Sequence, residues 1–240
     1  MKILAIVVIY NPNENDVINN ILQYINEVDN LIIWQNTPIS EFVKCKLNFP
    51  ELKDKIIYMG ENKNKGIAYA FNKAYEIMMV KPYSYSHLLL MDQDSIWINF
   101  KDYKNKIKKE NLGSIYSPIV NNEIIQKEGL SKVNNCINSG TVIPLEVLKI
   151  IGKFNEEYSI DCVDYDFCFK ANRKSVNIYK VHGCHLTQIF GTPNKSTIFN
   201  LKSYNYPPER LFFITRNHIL MWRDYPDQVD SIIRKRILKD

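Results

Sequence analysis

Two carboxylates one residue apart, in Asp92-Gln93-Asp94, carry the sharpest chemical signal in the chain. Such a pair can hold a divalent cation and, through it, approach a diphosphate. Mg²⁺ or Mn²⁺ takes oxygen ligands and shares them with substrate phosphates. The same tripeptide also suits a solvated turn. Position favours the metal, because the apolar run at residues 88–91 reads as a buried strand that puts Asp92 at a carboxyl end. A second acidic group, Asp161, Asp164 and Asp166, leads into the apolar stretch around Phe167 and Phe169. Asp164 falls near a predicted helix N-terminus, where a carboxylate is stabilised, and there it reads either as a cap or as a reactive base.

Three further groups belong to this chemistry. Asn64-Lys65-Gly66-Ile67-Ala68 puts small residues at a helix entry. It is either a phosphate-approaching loop or a plain loop-to-helix turn. His182 and His185 have H-x-x-H spacing, but Gly183 argues against the helix a zinc pair needs; His185 alone can serve a diphosphate or a metal. Arg210 and Arg216 sit among Tyr206, Phe212 and Phe213. Arginine fits phosphate recognition, and the aromatics read as the packed face of an amphipathic helix.

The elements that must position these groups follow from the apolar pattern. Continuous runs at residues 3–9, 31–34, 56–59 and 88–91 predict short buried strands. Asp16 can cap a helix to about Glu27, and a second helix is expected over 67–79. This β-α-β order predicts a mostly parallel sheet with helices on both faces, and in such sheets ligands bind at the strands' carboxyl ends. Tyr10-Asn11, Gln35-Asn36 and residues 92–95 stand there. Strands over 115–120, 141–143 and 176–181 and helices over 145–151, 164–173 and 208–222 complete the prediction. The 240 residues fit one α/β domain, and 45% hydrophobic with 24% charged residues is ordinary globular composition. The net charge of +5 suits an anionic partner or a solvated lysine-rich surface. Five cysteines, an odd number without C-x-x-C spacing, argue for a reducing compartment. Without a segment near the roughly 20 apolar residues of a membrane span, the expected location is the cytoplasm.

In order along the chain, these stretches resemble the inverting nucleotide-sugar glycosyltransferases of family 2, within them the bacterial rhamnosyltransferase-like branch. The resemblance rests on Val7-Val8-Ile9-Tyr10-Asn11-Pro12, Asn64-Lys65-Gly66-Ile67-Ala68, Leu90-Met91-Asp92-Gln93-Asp94-Ser95, Asn138-Ser139-Gly140, Gly152-Lys153-Phe154-Asn155-Glu156, Ile160-Asp161-Cys162-Val163-Asp164-Tyr165-Asp166-Phe167-Cys168, His185, and Arg210 through Arg216-Asn217. It implies a Rossmann-like A-type glycosyltransferase fold. It also implies that Tyr10 and Asn11 line the nucleotide pocket, with Asn64, Gly66 and Arg216 on the donor side. Gln35 and Asn36 would meet a pyrimidine base, Asp92 and Asp94 would hold Mg²⁺ or Mn²⁺ with the ribose-diphosphate, His185 would assist at the diphosphate or metal, and Asp164 would be the general base. The chain departs from the family at Gln35, often Asp, at Val163, often Glu, and at Lys170, often Arg.

The expected activity is transfer of a sugar, rhamnose first among the candidates, from a dTDP or UDP donor to a hydroxyl of a glycan or lipid-linked acceptor. No nucleic acid partner is expected. The expected layout is one domain over 1–240: a nucleotide half at 1–95, an acceptor-side half at 96–205, and a helical basic tail at 206–240. Arg210, Arg216, Arg223, Arg234, Lys235 and Arg236 in and near that tail could dock the protein peripherally on the inner membrane face. A sugar-phosphate nucleotidyltransferase would need a glycine-rich loop after the first strand, where Tyr10-Asn11-Pro12-Asn13 has none. A non-catalytic nucleotide- or glycan-binding subunit of a polysaccharide assembly complex is the remaining alternative.

Overall fold

The first apolar run forms β1 (Ile3–Ile9), buried along its whole length because sheet neighbours flank it and packed layers cover both faces. The structure is a computed structural model and describes residues 1–38, 49, 52–80, 84–110, 113–121, 129–188, 192–194 and 203–229. After β1 come α1 (Glu14–Leu22), β2 (Asn30–Gln35), β3 (Ile56–Gly60), α2 (Ile67–Val80) and β4 (His87–Asp92). β1 pairs in parallel with β2 and β4, and β2 in parallel with β3. The second half adds β5 (Ser95–Ile98), α3 (Phe100–Glu110), β6 (Ile115–Val120), β7 (Leu130–Val133), β8 (Val142–Pro144), α4 (Leu145–Ile151), α5 (Val163–Arg173), β9 (Ile178–Gln188), β10 (Thr192–Asn194), β11 (Ser203–Asn205) and α6 (Pro208–Asp224).

One nine-stranded sheet runs through both halves in the order β3-β2-β1-β4-β8-β6-β9-β5, with β7 also on β9. β6 and β9 are parallel, while β8, β5 and β7 pair antiparallel with their neighbours. β10 and β11 make a separate small antiparallel pair. Alternation along β1 sends Leu4, Ile6 and Val8 into one apolar layer and Ile3, Ala5, Val7 and Ile9 into the other. α2, α4 and α5 supply the first layer, and α1 and α3 the second.

Two expected elements change length. The helix expected to reach Glu27 starts at Glu14 and ends at Leu22, with Asp16 inside its first turn and a 3-10 turn at Ile25–Glu27. Tyr24 leaves the helical conformation and buries its ring edge-on against Phe100. β9 continues past Val181 to Gln188. Its register against β6 jumps from Val181 to His185, with Gly183 at positive φ between them, and the extension gains β5 as a partner.

The entry to α2 explains Gly66. Its φ is +78°, and a Cβ there would come within 2.5 Å of the Ser159 carbonyl oxygen. Ile67 donates its N–H to that same carbonyl at 3.0 Å. The small residue thus serves close packing of the α2 entry on the loop before α5. Gly66→Ala should cost about 1–3 kcal/mol, the usual penalty for a side chain held in a left-handed conformation. Urea unfolding of parent and variant would measure it.

Candidate active site

Asp92 is the last residue of β4, in register with Val8 of β1. The turn that follows is locked to the tip of β1 by Gln93. Its Oε1 accepts the Tyr10 N–H at 2.8 Å and its Nε2 donates to the Tyr10 carbonyl at 3.0 Å. From below, buried Ser139 accepts the Asp92 N–H at 3.1 Å and donates to Ser95 Oγ at 2.8 Å. Gly140, at positive φ, lies where a Cβ would strike Pro118 and Trp97, and its N–H donates to Leu90. The middle residue of the acidic tripeptide and the Asn138-Ser139-Gly140 stretch are therefore braces that hold the two carboxylates in place.

The carboxylates carry the strain of that position. Burial first, and then the Asp94 charge, push the Asp92 carboxyl up to about 7, while Gln188 Nε2, donating to Asp92 Oδ2 at 2.8 Å, pulls the other way. The Asp164 charge adds to the rise and Arg210 opposes it. Asp94 is also raised, chiefly by burial, and its Oδ1 is buried without a hydrogen-bond partner among the described residues. Asp92, Asp94, Asp164 and Arg210 thus share one electrostatic neighbourhood, although they come from three parts of the chain.

The acidic loop reaches this neighbourhood through two successive left-handed residues, Asp161 at φ 57° and Cys162 at φ 63°, just before α5. Helix α6 holds that backbone. Buried Asn217 donates to the Ile160 carbonyl at 2.6 Å and the Asp161 carbonyl at 3.2 Å. The three acids then differ in partners. Asp161 pairs with Arg210 at 3.3 Å, and Arg210 stacks on Tyr206. Asp166 is buried, accepts the Tyr225 hydroxyl at 2.6 Å and pairs with Lys170 at 2.8 Å. Asp164 accepts the Tyr165 backbone N–H at 2.9 Å and, among the described residues, is given no ion pair. Burial, with the Asp161 charge as a smaller contribution, lifts its carboxyl to about 6.

On the donor side, Tyr10 is exposed at the tip of β1 and Asn11 takes a left-handed turn, with its N–H on Thr37 Oγ1 at 2.9 Å. Gln35 ends β2 with a buried Nε2 that has no hydrogen-bond partner among the described residues. Asn36 is buried and its Oδ1 accepts the Lys65 N–H at 2.9 Å; Asn64 Oδ1 accepts the Gly66 N–H at 3.0 Å. Asn36 and Asn64 therefore shape the loop, and Gln35 keeps a free amide. Arg216 donates to the Glu157 carbonyl at 2.6 Å and to Asn217, over the Phe213 ring. Arg210 is the arginine whose charge reaches the acidic pair.

His185 lies in β9 opposite Ile98, and Gln188 lies opposite Ser95. Three residues apart on a strand, the two side chains take opposite faces, and Gln188 is the one that meets the carboxylates. Among the described residues, no group of three or more His, Cys, Asp or Glu gathers at one point. Two adjacent carboxylates with one unpaired buried oxygen still fit a hard divalent cation that completes its shell with phosphate oxygens and water. Gln188 is the site residue that the sequence motifs did not single out, whereas Ser139, Arg210 and Asn217 stand in the stretches that carry the resemblance.

The raised carboxyls set a pH dependence. Between about pH 4 and 7 the folded protein binds protons at Asp92 and Asp164 that the unfolded chain does not, so stability falls as pH rises through that window. Asp92→Asn removes part of this slope. In chelator, the variant should melt above the parent at pH 7.5, with the gain shrinking toward pH 5; thermal melts across that range check it.

No family profile matches the chain. It is 26% identical over 247 aligned residues to the dTDP-rhamnosyl transferase RfbF of Shigella flexneri, across 92% of this chain and 80% of that protein. Its fold is similar to that of GalNAc-T7, solved with UDP, GalNAc and Mn²⁺, at a TM-score of 0.64 and 11% identity over 79% of this chain; the match spans 44% of that longer chain. A197 from STIV matches with a TM-score of 0.50 and 13% identity over 86% of this chain and 96% of its own. The chain has the A-type glycosyltransferase fold and is similar in sequence to a rhamnosyltransferase.

Proposed function

We propose that the protein moves a sugar from a nucleoside diphosphate donor to a hydroxyl of a cell-surface glycan precursor, with inversion at the anomeric carbon, and that the donor is dTDP-rhamnose. The observation that supports the chemistry is the shared neighbourhood of Asp92, Asp94 and Asp164 at the end of β4. The donor assignment draws on the rhamnosyl transferase relative and on the free amide of Gln35, which can pair with a pyrimidine edge.

The acceptor oxygen attacks the anomeric carbon as the bond from that carbon to the diphosphate oxygen breaks. The hydroxyl proton passes to the Asp164 carboxylate, and the nucleoside diphosphate leaves with the bonding electrons. Asp164 suits the role because, among the described residues, it lacks the ion pairs that occupy Asp161 and Asp166. A carboxyl near 6 is ionised at neutral pH and close enough to it to exchange a proton. Asp92 and Asp94 would hold Mg²⁺ or Mn²⁺, which would supply positive charge to the leaving diphosphate. Arg210, pinned by Asp161 and Tyr206, adds a fixed cation on the same side.

Membrane docking rests on fewer residues than the sequence offered. Among the described residues no helix is long and apolar enough to cross a membrane. Arg210, Arg216 and Arg223 are engaged with Asp161, Glu157 and Asp224. Arg234, Lys235 and Arg236 lie outside the described residues.

Asp164→Asn keeps the shape and cannot take the proton. Its turnover should fall by about 10²–10⁴-fold with donor affinity preserved. The parent's turnover should fall as pH drops below about 6, where Asp164 protonates. Steady-state kinetics and calorimetric dTDP-sugar titration of parent and variant test both statements. Turnover near the parent's in Asp164→Asn would remove the base assignment.

A further inference from the structure

Gln188 is outside the acidic motifs, yet among the described residues it makes the side-chain hydrogen bond to the Asp92 carboxylate, at 2.8 Å. Its own Oε1 is buried with no hydrogen-bond partner among the described residues, as is Asp94 Oδ1. Its backbone is fixed: the N–H donates to Asn121 Oδ1 at 3.0 Å, and Asn121 Nδ2 donates to the Gln188 carbonyl at 3.1 Å. The β5–β9 ladder then sets Gln188 opposite Ser95, the residue that follows the acidic tripeptide.

We infer that Gln188 is the positioning residue of the divalent-cation site. This rests on the proposed metal role of Asp92 and Asp94. Two like charges brought close together and out of water tend to swing apart or take up protons. A neutral amide anchored on a rigid strand fixes one of them, Asp92, without competing for the cation as a lysine or arginine would. The amide donates to Asp92 Oδ2, and Asp94 Oδ1 is left without a partner among the described residues. Gln188 therefore prepares the pair for a cation before donor arrives. Partners that orient metal-binding carboxylates are typically worth 10–100-fold in metal affinity.

The test reads metal binding rather than catalysis. Mn²⁺ is titrated into chelator-stripped protein and free Mn²⁺ is followed by electron paramagnetic resonance. Gln188→Met keeps the length and loses the donor, so its Mn²⁺ affinity should fall about 10–100-fold. Gln188→Lys sets a tethered cation between the carboxylates; it should abolish Mn²⁺ binding while raising the melting temperature in chelator at pH 7.5. A role confined to joining β5 and β9 would leave Mn²⁺ affinity unchanged in any variant that folds. Parent-like affinity in the folded Met variant would overturn the inference and leave the metal reading standing. If the Met variant does not fold, the Lys variant decides: lost Mn²⁺ binding supports the inference, and retained binding overturns it. A parent that binds no Mn²⁺ would overturn both the metal reading and the role given to Gln188.

Discussion

Burial of the Asp92 and Asp94 carboxyls at the end of β4, with the Asp94 charge adding to the cost at Asp92, is the constraint around which this end of the molecule is arranged. A solvated turn would let the pair relax. Here Gln93 ties the turn to Tyr10, Ser139 takes the Asp92 N–H, and Gln188 takes an Asp92 oxygen. Each brace comes from a different segment, so the sheet must be complete before the pair is placed. The carboxyl of Asp92, pushed up to about 7, measures how incompletely the protein alone offsets the charge. A group kept at such a cost is typical of a functional site.

The acidic loop repeats the pattern with different means. Left-handed conformations at Asp161 and Cys162 are unfavourable for residues with side chains and persist only where the surroundings fix them. Asn217 and Arg216 on α6 hold the carbonyls of the loop, and Arg210 holds the Asp161 carboxylate. With Asp161 and Asp166 committed to partners, Asp164 is the acid of this loop that has no ion pair among the described residues. Helix α6 thus holds the loop through Arg210, Arg216 and Asn217.

Much of this was legible in the residues. The runs at 3–9, 115–120 and 145–151 became β1, β6 and α4 with the expected bounds, because continuous apolar runs and strict helical spacing leave few alternatives. Asp92 ends β4 as expected. Helix α3 was missed although Phe100, Tyr103 and Ile107 are its buried face; its lysines mask a three-residue apolar stripe. β5 and the second half of β9 were missed because their pairing depends on a register jump between Pro118 and Ile119 that local pattern does not encode. The same jump decides that Gln188 rather than His185 meets the carboxylates. Asn36 and Gly66 carried ligand-like signals, and in the fold they also hold loop backbone, a role that the motif alone does not reveal.

The proposed metal role of Asp92 and Asp94 requires that the carboxylate pair bind cation and nucleotide as one unit. Calorimetric titration of dTDP into the protein, with chelator and then with Mn²⁺, measures that coupling directly. The account predicts that Mn²⁺ tightens dTDP binding by about 5–150-fold, the usual range for coupled sites, and that Asp94→Asn loses the enhancement. Equal dTDP affinity with and without Mn²⁺ in the parent would contradict it.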